Sequence, residues 1–198
     1  MTLPISGEQA GLARDVIGWA REILGDLPAD LVGILAGDPV KALRAKMLET
    51  VWQKTKKTLE DRGVEDRQPP SLKADLPILA AAADETNENL QDLWAKLLAA
   101  AMDPSRTRHF RQSFIETIRK MDPTDVIVLH AVASQLERWK GKPFGAAEQK
   151  EEFAKLEMST DERSVSVENL IAIRCFTSPG GTVVLTSYGR ELLKAVAD

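Results

Sequence analysis

Leu76-Pro-Ile-Leu-Ala-Ala-Ala-Ala-Asp-Glu-Thr-Asn-Glu-Asn-Leu-Gln-Asp-Leu-Trp-Ala-Lys-Leu-Leu-Ala99 is the most strongly patterned stretch of the chain, and its spacing decides the fold class. Leu90, Leu93, Trp94, Leu97, Leu98 and Met102 recur at intervals of three and four, which puts them on one side of a helix. Leu76–Ala83 forms a second, compact apolar helix with Pro77 near its start. The polar run Asp84-Glu85-Thr86-Asn87 separates the two, and Asp103-Pro104 ends the longer one.

The same period extends in both directions. Upstream, Asp38-Pro39 supplies a cap and a first-turn proline for a helix running to Asp61. Its apolar set is Val40, Leu43, Met47, Leu48, Val51, Trp52 and Leu59, opposite Lys46, Lys54, Lys57 and Glu60. Gly63 is its stop signal, and Val64–Pro70 reads as a polar linker. A further helix from about Glu8 to Leu24 carries Leu12, Val16, Ala20 and Ile23 on one face. Downstream, Phe110, Phe114, Ile118 and Met121 define a helix over about Thr107–Met121. Asp122-Pro123-Thr124-Asp125 then opens Val126–Trp139 with a cap, a first-turn proline and an early acid.

The last sixty residues change character. Gly141–Gly145 is a loop, Ala146–Met158 a charged helix, and Ser166 is positioned to cap Val167–Arg174. Cys175-Phe176-Thr177 and Thr182–Thr186 flank Ser178-Pro179-Gly180-Gly181, whose Pro-Gly pair suits the centre of a type II turn, so the two read as a hairpin. Ser187 is placed to cap a final helix, Tyr188–Ala197. Helix, helix, helix, hairpin, helix is the order of a winged-helix module. The expected fold is therefore mainly α: an N-terminal helical bundle over 1–121, followed by a winged-helix-like module with one β-hairpin over 122–198.

Composition narrows the function. Hydrophobic residues make up 43% of the 198 and charged residues 28%, a globular balance that argues against disorder. The net charge of −4 gives no whole-surface attraction to nucleic acid or anionic membrane, so such binding needs a local patch. One cysteine, Cys175, allows no internal disulfide, and with two histidines it makes no Cys-rich zinc site. The start, Met1-Thr-Leu-Pro, lacks a secretory pattern, and Leu31–Gly37 and Leu76–Ala83 fall far short of the ~20 apolar residues that span a bilayer. These features predict a cytoplasmic protein without a transmembrane segment.

No catalytic constellation is present. His109 and His130 have no neighbouring Cys or acid at metal-ligand spacing, and there is no His-Glu-x-x-His, phosphate-cradling glycine loop or Gly-x-Ser-x-Gly. Asp84/Glu85 and Glu151/Glu152 lie in polar stretches that would leave them solvated. Cys175, beside Ile173 and Phe176, reads as a packing residue. We therefore expect no enzyme, no catalytic or metal-binding residue and no cofactor.

The candidate contact residues are Arg106, Arg108, Arg111, Arg119 and Lys120, clustered within fifteen residues. On a continuous helix Arg108 and Arg119 fall close together with Gln112 between them, a face able to meet phosphates or a partner. Glu116 on the same side dilutes it, and a simply solvated face is the plainer reading. The helix that would read DNA offers Ser166, Glu168, Asn169, Ala172 and Arg174, with a single cation, and the hairpin turn has none. The N-terminal helix balances Arg14 and Arg21 against Asp15 and Glu22, unlike a membrane-surface helix. Protein docking or self-association is thus preferred, nucleic-acid binding is the alternative, and a membrane-associating effector is a third reading.

Residues 76–99, the Phe114–Leu129 stretch with its Asp-Pro-x-Asp helix start, and the closing Leu185-Thr-Ser-Tyr-Gly-Arg together resemble the abortive-infection alpha (Abi-alpha) family. Ala36-Gly-Asp, Arg44 and Leu59-Glu-Asp-Arg-Gly are similar to it as well. The resemblance implies a bacterial, antiviral phage-defence protein of a domain family of unknown function. It supplies no catalytic residues.

Overall fold

The computed structural model describes residues 39–68, 72–138 and 146–197, with Gly11, Arg14, Gly18 and Arg21 as single helical positions before them. The expected Glu8–Leu24 helix, the Leu31–Gly37 segment and the Gly141–Gly145 loop otherwise lie outside the described residues. The architecture is mainly helical with one two-stranded antiparallel hairpin near the C-terminal end. The chain divides into two compact units, 1–115 and 116–197.

In the first unit, α1 (Pro39–Asp61), α2 (Leu72–Ala83) and α3 (Glu88–Met102) pack against one another. The bounds of α1 follow from its ends. Pro39 fits a first turn, and Gly63 at φ 66 closes a C-terminal motif in which Val64 N–H donates to the Leu59 carbonyl and Gly63 N–H to that of Glu60. Asn87 caps α3 by accepting from the Asn89 and Leu90 amides. Leu90, Leu93, Trp94, Leu97 and Leu98 are all buried, as are Ala95 and Ala99–Ala101 around them, so α3 is covered nearly all round and forms the centre of this unit. Leu48, Val51, Trp52 and Leu59 of α1 and Ile78, Leu79 and Ala82 of α2 complete the core. Each buried Leu, Ile or Val stabilises by about 1.5–3 kcal/mol. Val40 and Leu43, read as part of the apolar face of α1, are instead 59% and 52% exposed in its first turns.

The unit boundary falls inside α4 (Gln112–Arg119), ahead of Asp122. The single helix expected over Thr107–Met121 is broken. Asp103 ends α3 with an Asx turn, its Oδ1 accepting from the Ser105 amide and hydroxyl. A 3₁₀ turn over Thr107–His109 follows, and Phe110 is extended at ψ 134. Residues 103–111 are thereby consumed before α4 begins.

The second unit contains α5 (Pro123–Arg138), α6 (Ala146–Ala154), α7 (Thr160–Ala172), β1 (Phe176–Thr177), β2 (Val184–Leu185) and α8 (Ser187–Ala195). α7 packs on α5, and the strands pair Phe176 with Leu185 and Thr177 with Val184. The Thr182 N–H donates to the Pro179 carbonyl, with Gly180 and Gly181 both at positive φ. That arrangement is of type I′, whose twist suits a hairpin, and not the type II turn centred on Pro179 and Gly180.

Helix starts differ from expectation as well. Ser159 caps α7 through a reciprocal capping box with Glu162, so Ser166 lies inside the helix, buried, its Oγ donating to Thr124 Oγ1 at 2.9 Å. Thr186, one residue before Ser187, caps α8 by accepting from the Gly189 amide. Gln149 of α6 is buried and pairs with both backbone groups of Val183: its Nε2 donates to the carbonyl at 2.7 Å and its Oε1 accepts from the N–H at 2.8 Å. A side-chain amide thus supplies the next hydrogen-bonding partner beyond the hairpin.

Candidate functional site

The five predicted basic residues do not form one helical face. Arg106, Arg108 and Arg111 lie in the first unit, and Arg119 and Lys120 in the second. The extended backbone at Phe110 interrupts the helix on which Arg108 and Arg119 were to be neighbours.

Each of the five has its own setting. Arg106 is half-buried, its Nε 3.7 Å from the buried Asp103 Oδ2. Arg108 is exposed and its Nε donates to His109 Nε2 at 3.2 Å. Arg111 is exposed and makes no ion pair among the described residues. Arg119 lies 3.6 Å from Glu116 on the same helix, an exposed pair of small energetic value. Lys120 is exposed, and its carbonyl accepts from Asn169 Nδ2 at 2.8 Å.

The helix proposed from sequence to offer side chains to bases turns two of them inward. Ser166 is buried, and Asn169 donates from the same amide to the Lys120 carbonyl and to Asp125 Oδ2, the latter at 2.6 Å. Asp125 is itself buried and also accepts from the Asp122 N–H at 2.7 Å. Its reach back to Asp122 is a helix-start interaction, while its partnership with Asn169 ties α5 to α7. The outward side of α7 carries Asp161, Ser164, Val165, Glu168, Ile171 and Ala172. Val165 is 64% exposed and Ile171 38%.

Beside this face lies a cleft of about 320 Å³, with Phe153, Val167 and Val183 as its apolar lining and Lys150, Arg163 and Glu168 as its charged groups. The Arg163 guanidinium is already engaged, donating to the Phe153 carbonyl at 2.8 Å and lying over the Phe153 ring.

Two titratable groups are shifted by burial. The Cys175 thiol is pushed up to about 12, first by burial and then by the charge of Asp125, with Arg174 opposing. It is therefore a protonated, packed side chain at neutral pH. Asp75 in α2 is completely buried, neither carboxylate oxygen has a hydrogen-bond partner among the described residues, and burial raises it from 3.8 to about 7. Sequence reasoning missed it by starting the helix at Leu76. A start at Leu72 places Asp75 at three, four and seven residues from Ile78, Leu79 and Ala82, on the buried stripe. Among the described residues, no three His, Cys, Asp or Glu side chains are grouped to hold a metal ion. No helix of those residues is long and apolar enough to cross a membrane.

These features define a mainly helical protein whose second unit ends in a helix–hairpin–helix arrangement with an acidic outer helix face. Residues 44–182 match the abortive infection alpha family, more than half of the chain, and the protein belongs to that family. The matched span stops short of Leu185–Arg190 and begins after Ala36–Asp38, so those two quoted segments lie outside it. No curated protein and no solved structure matches the chain.

Proposed function

We propose that this is a non-enzymatic phage-defence protein of the cytoplasm that acts through protein contacts, with residues 122–198 serving as a winged-helix-like docking module. Family membership supports the defence role. The docking role is carried by the outer face of α7. In a DNA-reading winged helix the corresponding helix enters the major groove and neighbouring cations hold the phosphates. Here that face presents Asp161 and Glu168 around exposed Val165 and Ile171, which repel phosphate and suit a protein surface. The hairpin tip, Ser178–Gly181, adds no cation.

Nucleic-acid binding is the second reading, favoured by exposed Arg108 and Arg111 alone. It predicts RNA or duplex binding that weakens steeply with salt. The defence role is tested by phage plating and survival of infected cells, with and without expression of the protein. Reduced plating with death of infected cells is expected; unchanged plating and survival across a broad phage panel would remove the proposal.

A further inference from the structure

We infer that the partner of the α7 face is a second copy of this chain, whose Arg108–Arg111 segment docks on it head to tail. The inference rests on the protein-contact reading above and names the partner.

Charge along the chain is segregated. Residues 146–172 hold seven acids and three bases, a balance of −4, whereas residues 104–121 hold five bases and one acid, a balance of +4. Within the second unit, Glu116, Glu152 and Glu191 each face a Lys or Arg three residues away, and Glu162 is held in the Ser159 capping box. Asp161 and Glu168 are exposed and make no such pair among the described residues. In the first unit, Arg108 and Arg111 are likewise exposed without an acidic partner among the described residues. Each surface therefore has unspent charge of the sign that the other lacks.

The spacing agrees. Asp161 and Glu168 are seven residues apart on a helix, about 10 Å. Arg108 and Arg111 are separated by the end of a 3₁₀ turn and an extended residue, about 9 Å. Between the two arginines stands half-buried Phe110, and between the two acids exposed Val165. An apolar centre flanked by opposite charges is thus available on both sides of the contact.

Because the two patches differ, the contact is heterologous. Each copy that docks leaves one basic segment and one α7 face open, so association continues into a ring or a filament. Exposed ion pairs are individually weak and screened beyond about 8–10 Å, so the assembly is concentration-dependent and salt-sensitive.

Sedimentation velocity of the full chain tests this. At 50 mM salt the weight-average mass should rise with concentration through the micromolar range, and at 500 mM salt the association constant should fall by about tenfold or more. Arg108→Glu/Arg111→Glu and Asp161→Lys/Glu168→Lys should each sediment as monomers. Their equimolar mixture should associate again, since each reversed surface meets its complement. Glutamine at both arginines is the milder control, and circular dichroism checks that every variant is folded. A wild-type chain that stays monomeric at all concentrations overturns the proposal, as does association indifferent to salt and to both variants. Should the monomeric protein instead bind a single-stranded RNA oligomer through Arg108 and Arg111, the patch serves nucleic acid and the proposal falls. Phage plating separates this from the broader reading: protection by a strictly monomeric protein rejects self-association and leaves the defence role standing.

Discussion

Replacing Asp75 by Asn should change the stability of the first unit by an amount that depends on pH in a defined way. Asp75 lies on the same stripe of α2 as Ala74, Ile78, Leu79 and Ala82, is 0% exposed, and has no donor for either oxygen among the described residues. Burial holds its carboxyl at about 7 in the folded chain, against an ordinary 3.8. Between those values the folded state keeps a proton that the unfolded state has released. Stability from this group is therefore fully present below about pH 4, falls as pH rises toward 7, and levels off above it. At 1.36 kcal/mol per pH unit the loss reaches about 4.3 kcal/mol by pH 8, and about 1.7 kcal/mol at pH 5. Asn has nearly the same shape and never ionises, but its amide is buried in the same unpaired setting, so the effect of Asp75→Asn should be more favourable at pH 8 than at pH 5 by about 2.6 kcal/mol. Urea unfolding followed by tryptophan fluorescence reads the effect, since Trp52 and Trp94 are both buried in the same unit. Comparing variant with wild type at one pH cancels every other titration. A difference between variant and wild type that is equal at pH 5 and pH 8 would refute the reasoning.

Two further substitutions probe the second unit, both read by urea unfolding. Gly189→Ala should destabilise by about 3 kcal/mol, because a Cβ at that position would overlap the backbone carbonyl oxygen of Cys175, which is not a flexible neighbour; a loss below 1 kcal/mol would show that α8 shifts freely. Arg174 adopts φ 65 where Gly63 stands in the equivalent motif of α1, and its guanidinium lies 4.6 Å from the Tyr188 ring centre. Arg174→Ala loses the stack and keeps the strained backbone, whereas Arg174→Gly loses the stack and relieves it, so Gly should be the more stable of the two by about 1 kcal/mol; equal stabilities would contradict this.

Elements whose boundaries are marked by local chemistry were legible in the sequence. Asp38-Pro39 and Gly63 bracket α1, and the leucine spacing of Leu90–Leu98 defines the buried face of α3. Failures came where two local signals competed or where the deciding partner is distant in sequence. Ser159-Thr-Asp-Glu162 is a capping box in plain view, yet Ser166 stands next to a more apolar run and looks like the better cap. The helical wheel for Arg108 and Arg119 assumes continuity, and the turn built by Asp103 and Pro104 removes it. The role of Asp125 depends on Asn169, 44 residues on, and that of Gly189 on a carbonyl contributed by Cys175. No periodicity reports either.

The Leu185–Arg190 segment shows how such partners bear on function. Thr186 Oγ1 caps α8 and also donates to the Arg174 carbonyl at 2.6 Å, just past the end of α7. Tyr188 lies under the Arg174 guanidinium and shares a 2.7 Å hydrogen bond with Thr117. Gly189 lets the start of α8 approach the Cys175 carbonyl, and Arg190 Nη1 donates back to the Leu185 carbonyl at 2.7 Å. Thr186 and Tyr188 thus fasten the hairpin exit to the residues just past α7, while Arg190 braces the segment from within. At the other end of α7, the capping box at Ser159 fixes the first turn, and Asn169 and Ser166 tie the middle to α5. A helix held at both ends and along its inner side presents its outer residues in a fixed geometry. Docking on such a face orders few groups that were free before, so even the weak contacts available to Asp161, Val165 and Glu168 can be specific. The polar residues that sequence would lend to a ligand are spent on holding the surface still, and the proposed docking rests on the acids left outside.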